Sequence, residues 1–473
     1  MPPLVIGAIA DTLGRGIEAV TDTVSETFFE PVIRLGVTGL ARSGKTVFIT
    51  SLVANLLDRG RMAGLEAAGS GRIEAAFLQP QPDDTVPRFE FESHLAAMTG
   101  ADPVWPESTR SVSELRISLR VRPKGLLAGL SGPRTVHLDI VDYPGEWLLD
   151  LGLLDLDFAR WSATALARAE ARPEGAAFLA QLNAAVPDKK LDEGTAKALA
   201  EGWTAYLRAA RDAGYSDCTP GRFLLPGDLA GSPALTFAPL PQGATPRGSL
   251  SREFQRRFEA YKAQVVKPFF RAHFSRINRQ VVLVDTLGAI HNGPRAVEDL
   301  RQALSGILGS FRPGRNSFLT SILGKRVDKI LFAATKADHL HHDQHGRLQG
   351  IMEALVADAR RQADFSGATT GAMAIASLRT TVEEVRRVNG TDLGVVRGTL
   401  LEDGRQAALH PGDLPADPSV LLAPARDGAE AWLDAEFGIM RFAPAPLSLR
   451  AGEGPPHIRL DRAAEFLIGD KLR

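Results

Sequence analysis

Apolar positions along this chain follow two rhythms, and the changes of rhythm place its elements. "VIRLGVT" is a short apolar run fit for a buried strand at 32–38, and "VFITSLVANLLDR" just after it has apolar residues at helical spacing, predicting a helix over 45–58. In "ELRISLRV" Leu115, Ile117, Leu119 and Val121 alternate with polar residues, as on a half-buried strand at 114–121. The turn-rich "RPKGLLAGLSGPR" leads to a second alternating run at 135–142, so the two predict an antiparallel hairpin. Further apolar runs predict strands at 280–285, 329–335 and 371–376, six in all. The run at 280–285 follows a long helical-period stretch, "SLSREFQRRFEAYKAQVVKPFFRAHFSRI", and so enters as a crossover strand parallel to its neighbours. Helices expected at 296–309, 347–363 and 461–469 complete a doubly wound α/β fold, in which ligands sit at the carboxyl ends of the strands.

The rest departs from this pattern. Residues 146–279 hold Ala- and Leu-rich helical stretches, from "FARWSATALARAEA" to "ALAEGWTAYLRAARDAG", then a Pro- and Gly-rich stretch, which together predict a large helical and loop insertion. Residues 380–460 mix turn signals with short alternating runs such as "PLSLRAG" and "PHIRLDR", predicting a smaller β-rich insertion ahead of a C-terminal core helix in 461–473. Within 1–30, Ile6, Ile9, Leu13, Ile17, Val20, Val24 and Phe28 mark one face of an amphipathic helix. Its polar face is acidic, which favours packing on the body of the protein over a membrane surface. The segment has no basic n-region or long h-region, so it is not a secretory signal.

Composition narrows the partners. At 473 residues the chain is too long for one ordinary core and implies two to three domains, or one with large insertions. Its 55 Lys+Arg balance 56 Asp+Glu, so no net field draws nucleic acid, and none is expected to bind. No apolar run approaches the ~18 residues that span a bilayer, so no transmembrane segment is expected. The lone Cys218 excludes an internal disulfide and suits a reducing compartment.

Candidate chemistry begins at "GLARSGKT", Gly39 to Thr46, between the first strand and the first helix. Gly, four residues, then Gly-Lys-Thr is the spacing of a loop whose backbone N–H groups cradle nucleotide phosphates. Gly39 and Gly44 sit where a side chain would block approach, Lys45 meets the β and γ phosphates, and Thr46 offers a hydroxyl to magnesium. Arg42, Ser43 and Val47 complete the loop, Arg42 and Arg110 being either charge stabilisers or surface residues. The second hairpin strand ends in Asp142-Tyr-Pro-Gly145, resembling the Asp-x-x-Gly of Ras-like GTPases, where the Asp joins the magnesium shell and the Gly N–H senses the γ-phosphate. "QVVLVDTLG" repeats the pattern at Asp285 and Gly288, but as a crossover strand it leaves Asp285 a structural role and the metal to Asp142. "VDKILFAATKADHL" then places Thr335, Lys336 and Asp338 after a strand, close to an Asn-Lys-x-Asp. A carboxylate there suits guanine, because it can accept from both ring N1–H and the exocyclic amine. Lys336 would lay its stem along the purine, and Ser377 ends the last strand where a backbone N–H meets guanine O6. Thr109 in "WPESTRS" precedes the edge strand, where GTPases place a magnesium-binding Thr, and Glu146 stands where they usually carry a water-orienting Gln. Lys45, Gly145 and Glu146 are therefore the candidate catalytic set.

"LGVTGLARSGKTVFITSLVANLL", "FEFESHLAAM", "WPESTRSVSELRISL", "VDYPGEWLLDL" and "AATKADHL" together resemble the YcjX family of bacterial stress-associated, GTPase-like proteins, over most of the chain. The resemblance implies a P-loop, Ras-like core built from 31–145, with an extended switch I region, and from 280–379, with the base-reading motif. It also implies a cytoplasmic protein, peripheral at most to the inner membrane, that binds GTP and GDP with Mg2+ and meets a membrane-protein partner in envelope stress. Three functions stay open on the residues alone: a slow GTPase switch, an ATPase or kinase using the same loop, and a nucleotide-bound scaffold with negligible turnover.

Overall fold

A computed structural model describes residues 30–40, 42–107, 111–124, 132–185, 189–273, 276–309, 327–357, 360–361, 368–432 and 437–473. The amphipathic segment expected within 1–30 lies outside these residues, apart from Glu30, and so do Thr109 and Arg110.

Seven strands form the main sheet: β1 (Val32–Gly39), β2 (Ile73–Gln79), β3 (Ser113–Val121), β4 (Arg134–Asp142), β5 (Arg279–Val284), β6 (Lys329–Ala334) and β7 (Thr369–Ala374). Their order is β2-β3-β4-β1-β5-β6-β7. β1 is parallel to β4 and β5, and β6 and β7 continue the parallel run. β3 and β4 form the expected antiparallel hairpin. The sheet has one strand more than the six expected, because β2 adds antiparallel to β3 at the edge. Its sequence, IEAAFLQ, buries only Ile73, so no apolar run or strict alternation announces it.

Alternate residues of the central strands feed two faces. Leu35 and Val37 of β1, Val281 and Leu283 of β5 and Leu331 of β6 pack with Phe48 and Leu52 of helix α1 (Lys45–Leu57), and with residues Leu460 and Leu467 near the C-terminus. On the other face Val282, Val284, Ile330 and Phe332 join one continuous apolar cluster with the helices of the 146–279 segment. These include α2 (Gly145–Leu149), α3 (Phe158–Glu170), α4 (Glu193–Asp212) and α5 (Leu250–Tyr261). Aromatic rings dominate their packing, with Trp161 stacked on Phe258 at 4.9 Å and edge-on to Trp203 at 6.3 Å. Helices α6 (Thr286–His291), α7 (Pro294–Gly309) and α8 (His345–Leu355) follow β5 and β6 on that face, and α9 (Leu460–Ile468) closes the first.

A separate antiparallel sheet, β8 (Val382–Val388), β9 (Thr391–Thr399) and β10 (Gln406–Leu409), follows β7. Beyond it come a short helix, Ser419–Arg426, and extended chain bridged at Leu400 to Phe442. Among the described residues no helix is long and apolar enough to cross a membrane.

Candidate functional site

The sheet places its candidate residues at the carboxyl ends of β1, β4, β5, β6 and β7. β1 ends at Gly39, and the chain turns back through Arg42 (φ 62°) and Gly44 (φ 82°) before α1 starts at Lys45. Gly44 supplies a left-handed conformation that costs other residues energy. Gly39 is needed for space, since a Cβ there would fall 2.0 Å from Ser43 Oγ and 3.1 Å from the Leu283 carbonyl. The Ser43 N–H donates to the Leu40 carbonyl at 3.1 Å, closing the turn. Ser43 Oγ is buried and makes no hydrogen bond among the described residues, so the loop carries a buried polar group that a ligand could satisfy. α1, of 13 residues, points its positive end at this space, which suits a phosphate. Lys45 and Val47 are half-buried on its first turn. Arg42 extends outward instead, 3.8 Å from Asp212 of α4.

Thr46 and Asp142 are the hard oxygen donors beside the loop. Asp142, 1% exposed, ends β4 opposite Val37 of β1. The Thr46 hydroxyl lies 3.5 Å from the Glu107 carbonyl, which brings the chain two residues before Thr109 up to the loop. A buried hydroxyl, a buried carboxylate and a phosphate cradle fit a magnesium nucleotide.

Gly145 touches the loop directly: a Cβ would sit 1.9 Å from the Gly39 carbonyl oxygen. Glu146 is half-buried, and its own carbonyl faces Gly221, where a Cβ would approach to 2.2 Å. The 221–225 stretch grips this turn. Trp147 Nε1 donates to the Leu225 carbonyl at 3.1 Å, and the Arg222 guanidinium lies 3.2 Å above the Trp147 ring. The Gly221 N–H donates to Asp150 Oδ1 at 2.8 Å and the Tyr261 hydroxyl donates to Oδ2. Complete burial nonetheless pushes the Asp150 carboxyl up to about 7.

On the other side of β1, Thr335 donates from both N–H and Oγ1 to the Val284 carbonyl, at 2.9 and 3.2 Å. Thr335 therefore braces the loop to β5. Lys336 takes a left-handed conformation, φ 61°, and its Nζ pairs with the Asp285 carboxylate. Asp285 also caps α6, its Oδ1 accepting from the Gly288 N–H at 3.0 Å, in keeping with a structural role. The Ala337 N–H donates to the Ile375 carbonyl at 3.0 Å, tying this loop to the turn that carries Ser377.

Asp338 is 4% exposed, and its Oδ2 accepts from the Thr380 N–H at 2.9 Å and the Thr380 hydroxyl at 2.7 Å. The Thr381 hydroxyl donates to the Asp338 carbonyl. Thr380 and Thr381 were not anticipated from sequence; the only signal was "RTT" starting two residues past Ser377. Next to Asp338, burial pushes the His339 imidazole below its usual range, and its ring meets Phe442 edge-on at 5.1 Å. Trp105 Nε1 donates to the Phe442 carbonyl at 2.8 Å, so residue 442 joins the stretch before residue 107 to the 335–339 loop.

The match to known proteins covers the whole of this arrangement. Residues 33–472 match the YcjX-like family, DUF463. The chain is 38% identical over 456 residues to the "Ras-like GTPase YcjX" of Escherichia coli (strain K12), covering 93% of this chain and 96% of that protein. It is 36% identical over 471 residues to the "Ras-like GTPase YcjX" of Shewanella oneidensis, covering 93% and 94%.

Proposed function

This chain belongs to the YcjX-like family, and on that premise we propose that it is a GTP-binding protein that hydrolyses GTP slowly and acts as a nucleotide-dependent switch. The observation that carries the reading is the backbone contact between Gly145 and Gly39, because it couples the phosphate loop to α2 and to the helices behind it. Gly39 to Val47 would hold the phosphates, Lys45 neutralising the β and γ groups. Thr46 and Asp142 would hold Mg2+, with Thr109 completing the shell from switch I. When bound, the ion neutralises charge on the phosphates.

Thr335, Lys336, Asp338 and Ser377 would receive guanine. The Gly145 N–H would register the γ-phosphate, and any shift of α2 passes to Gly221 and Trp147. Turnover is slow on this reading because Glu146 brings negative charge toward an anionic group, and Arg42 and Arg222 are engaged with Asp212 and Trp147. Unassisted GTPases turn over at roughly 10⁻⁴ to 10⁻² s⁻¹. The stress role and the membrane-protein partner rest on the family resemblance.

Titration with fluorescent GTP and ATP, followed by single-turnover phosphate release, tests the proposal. GTP preference, loss of binding in Lys45→Ala and slow release support it. An ATP preference points to the ATPase or kinase reading, and a rate above about 1 s⁻¹, as in assisted enzymes, overturns the slow switch. If Glu146→Gln loses most of a slow rate, the carboxylate is itself the catalytic group.

A further inference from the structure

Just past the base-reading loop, the chain places His341, His342 and Asp343 in succession, and their ligating atoms lie within 4.8 Å of one another. His341 is 7% exposed, and its Nδ1 is sealed from solvent with no hydrogen bond, yet it lies 2.9 Å from Asp343 Oδ2. On the same carboxylate, Oδ1 lies 3.1 Å from His342 Nε2. The other nitrogen of His342, Nδ1, lies 2.6 Å from Oε2 of Glu383 on β8. An ionised carboxylate only accepts, so this contact puts the proton on Nδ1 and leaves the Nε2 lone pair facing Asp343. Glu383 is itself held by Arg379, whose NH2 group donates to Oε1 at 3.0 Å. The His341 ring is fixed by β9: a Cβ on Gly394 would fall 2.7 Å from its Cγ.

Two imidazole nitrogens and a carboxylate oxygen thus converge, with a carboxylate behind one imidazole. Bound tetrahedrally at ~2.0–2.1 Å, ligand atoms stand about 3.3 Å apart; each imidazole nitrogen lies near that distance from one of the two Asp343 oxygens, and a small adjustment within the 4.8 Å span would bring both to a shared ion. The side chains of His342 and Asp343 are 64% and 69% exposed, which leaves a solvent-facing side for a further ligand. We propose that His341, His342 and Asp343 form a binding site for a borderline divalent transition metal such as zinc, with Glu383 orienting His342. Imidazole selects this class over magnesium, so the site is chemically separate from the phosphate loop. It joins the chain after Asp338 to β8, and Thr381, which holds the Asp338 carbonyl, lies two residues before Glu383.

The test is zinc titration of the untagged, nucleotide-free, chelator-treated full chain by calorimetry, which does not depend on GTP binding. Expected is one equivalent bound at micromolar zinc or tighter. His342→Ala and Asp343→Asn should each weaken it at least tenfold, and Glu383→Gln by about 10- to 100-fold, the range of ligand-orienting groups. Both ligand positions are exposed, and unchanged thermal unfolding without zinc will show that the variants fold. Binding only at millimolar zinc, or affinity unchanged in His342→Ala and Asp343→Asn, overturns the site and leaves the cluster as histidines packed against carboxylates with no metal role.

Discussion

On the proposed reading, Asp338 is the residue that meets the base. Its Oδ2 is taken by two donors from Thr380, so among the described residues Oδ1 is the oxygen left for a ligand, and the carboxylate plane is fixed in advance of one. Asp338→Asn should move preference from guanosine toward xanthosine nucleotides, because a donor replaces an acceptor opposite the exocyclic amine. Thr380→Ala keeps the N–H donor but removes the hydroxyl, and should weaken GTP roughly tenfold without changing that preference, as a hydrogen bond to a charged group is worth about 1.5–3 kcal/mol. Competition titrations of GTP against XTP measure both, and an unchanged ratio in Asp338→Asn would remove Asp338 from the base. Asp338 was legible in sequence because Thr-Lys-x-Asp after an apolar strand is a pattern. Thr380 was not, since it reaches Asp338 across 42 residues and a lone hydroxyl carries no period.

At the scale of elements, legibility follows burial. β1, β5 and β6 are buried on both faces and read as apolar runs, β4 is buried too but alternates because His137 and Asp139 sit inside, and the crossover placement of the 280–285 strand followed from the helix before it. β2 was invisible because an edge strand with one buried residue has no pattern to show. The grip of 221–225 on α2 was invisible for another reason, as it joins segments more than 70 residues apart through hydrogen bonds between side chains and backbone. That junction can be tested at Gly145. A methyl group there meets the Gly39 backbone, which has no side chain to yield, so Gly145→Ala must displace either the phosphate loop or α2. Overpacking of this kind costs about 1–3 kcal/mol. The melting temperature should fall by a few degrees, and the stabilisation that GTP gives the wild type should be largely lost. Full stabilisation of the variant by GTP would show that loop and α2 move independently.

Across the whole molecule, the helices of 146–279 share one apolar cluster with the sheet, so a charge buried among them bears on the stability of the core. Asp150 is that charge, and Glu114 on β3 is a second carboxyl that burial and the neighbouring Asp139 and Asp83 push up to about 7. Each has a folded pKa above its ordinary value, so the folded state holds a proton that the unfolded chain has already released. Their stabilisation is complete at pH below about 4 and is lost as pH rises toward 7, at up to about 1.4 kcal/mol per pH unit for each group. Glu253 runs the opposite way. Hydrogen bonds from Arg256 and Arg257 hold it down at about 2, so its contribution is present above its ordinary value of 4.5 and disappears as pH falls toward 2. The two windows barely overlap, and between about pH 5 and 7 Asp150 and Glu114 lower stability as pH rises, while buried histidines such as His339, held below their usual range, act in the opposite direction. Asp150→Asn mimics the protonated acid, keeping an acceptor for the Gly221 N–H while its amide can donate to the Tyr261 oxygen. Urea unfolding from pH 5 to 8 should therefore show that stability gains less, or loses more, with rising pH in the wild type than in Asp150→Asn, and that the slope shifts further in the same direction when Glu114→Gln is added. Equal slopes in the wild type and Asp150→Asn would mean that Asp150 ionises inside the fold at little cost, with water reaching the α2 junction.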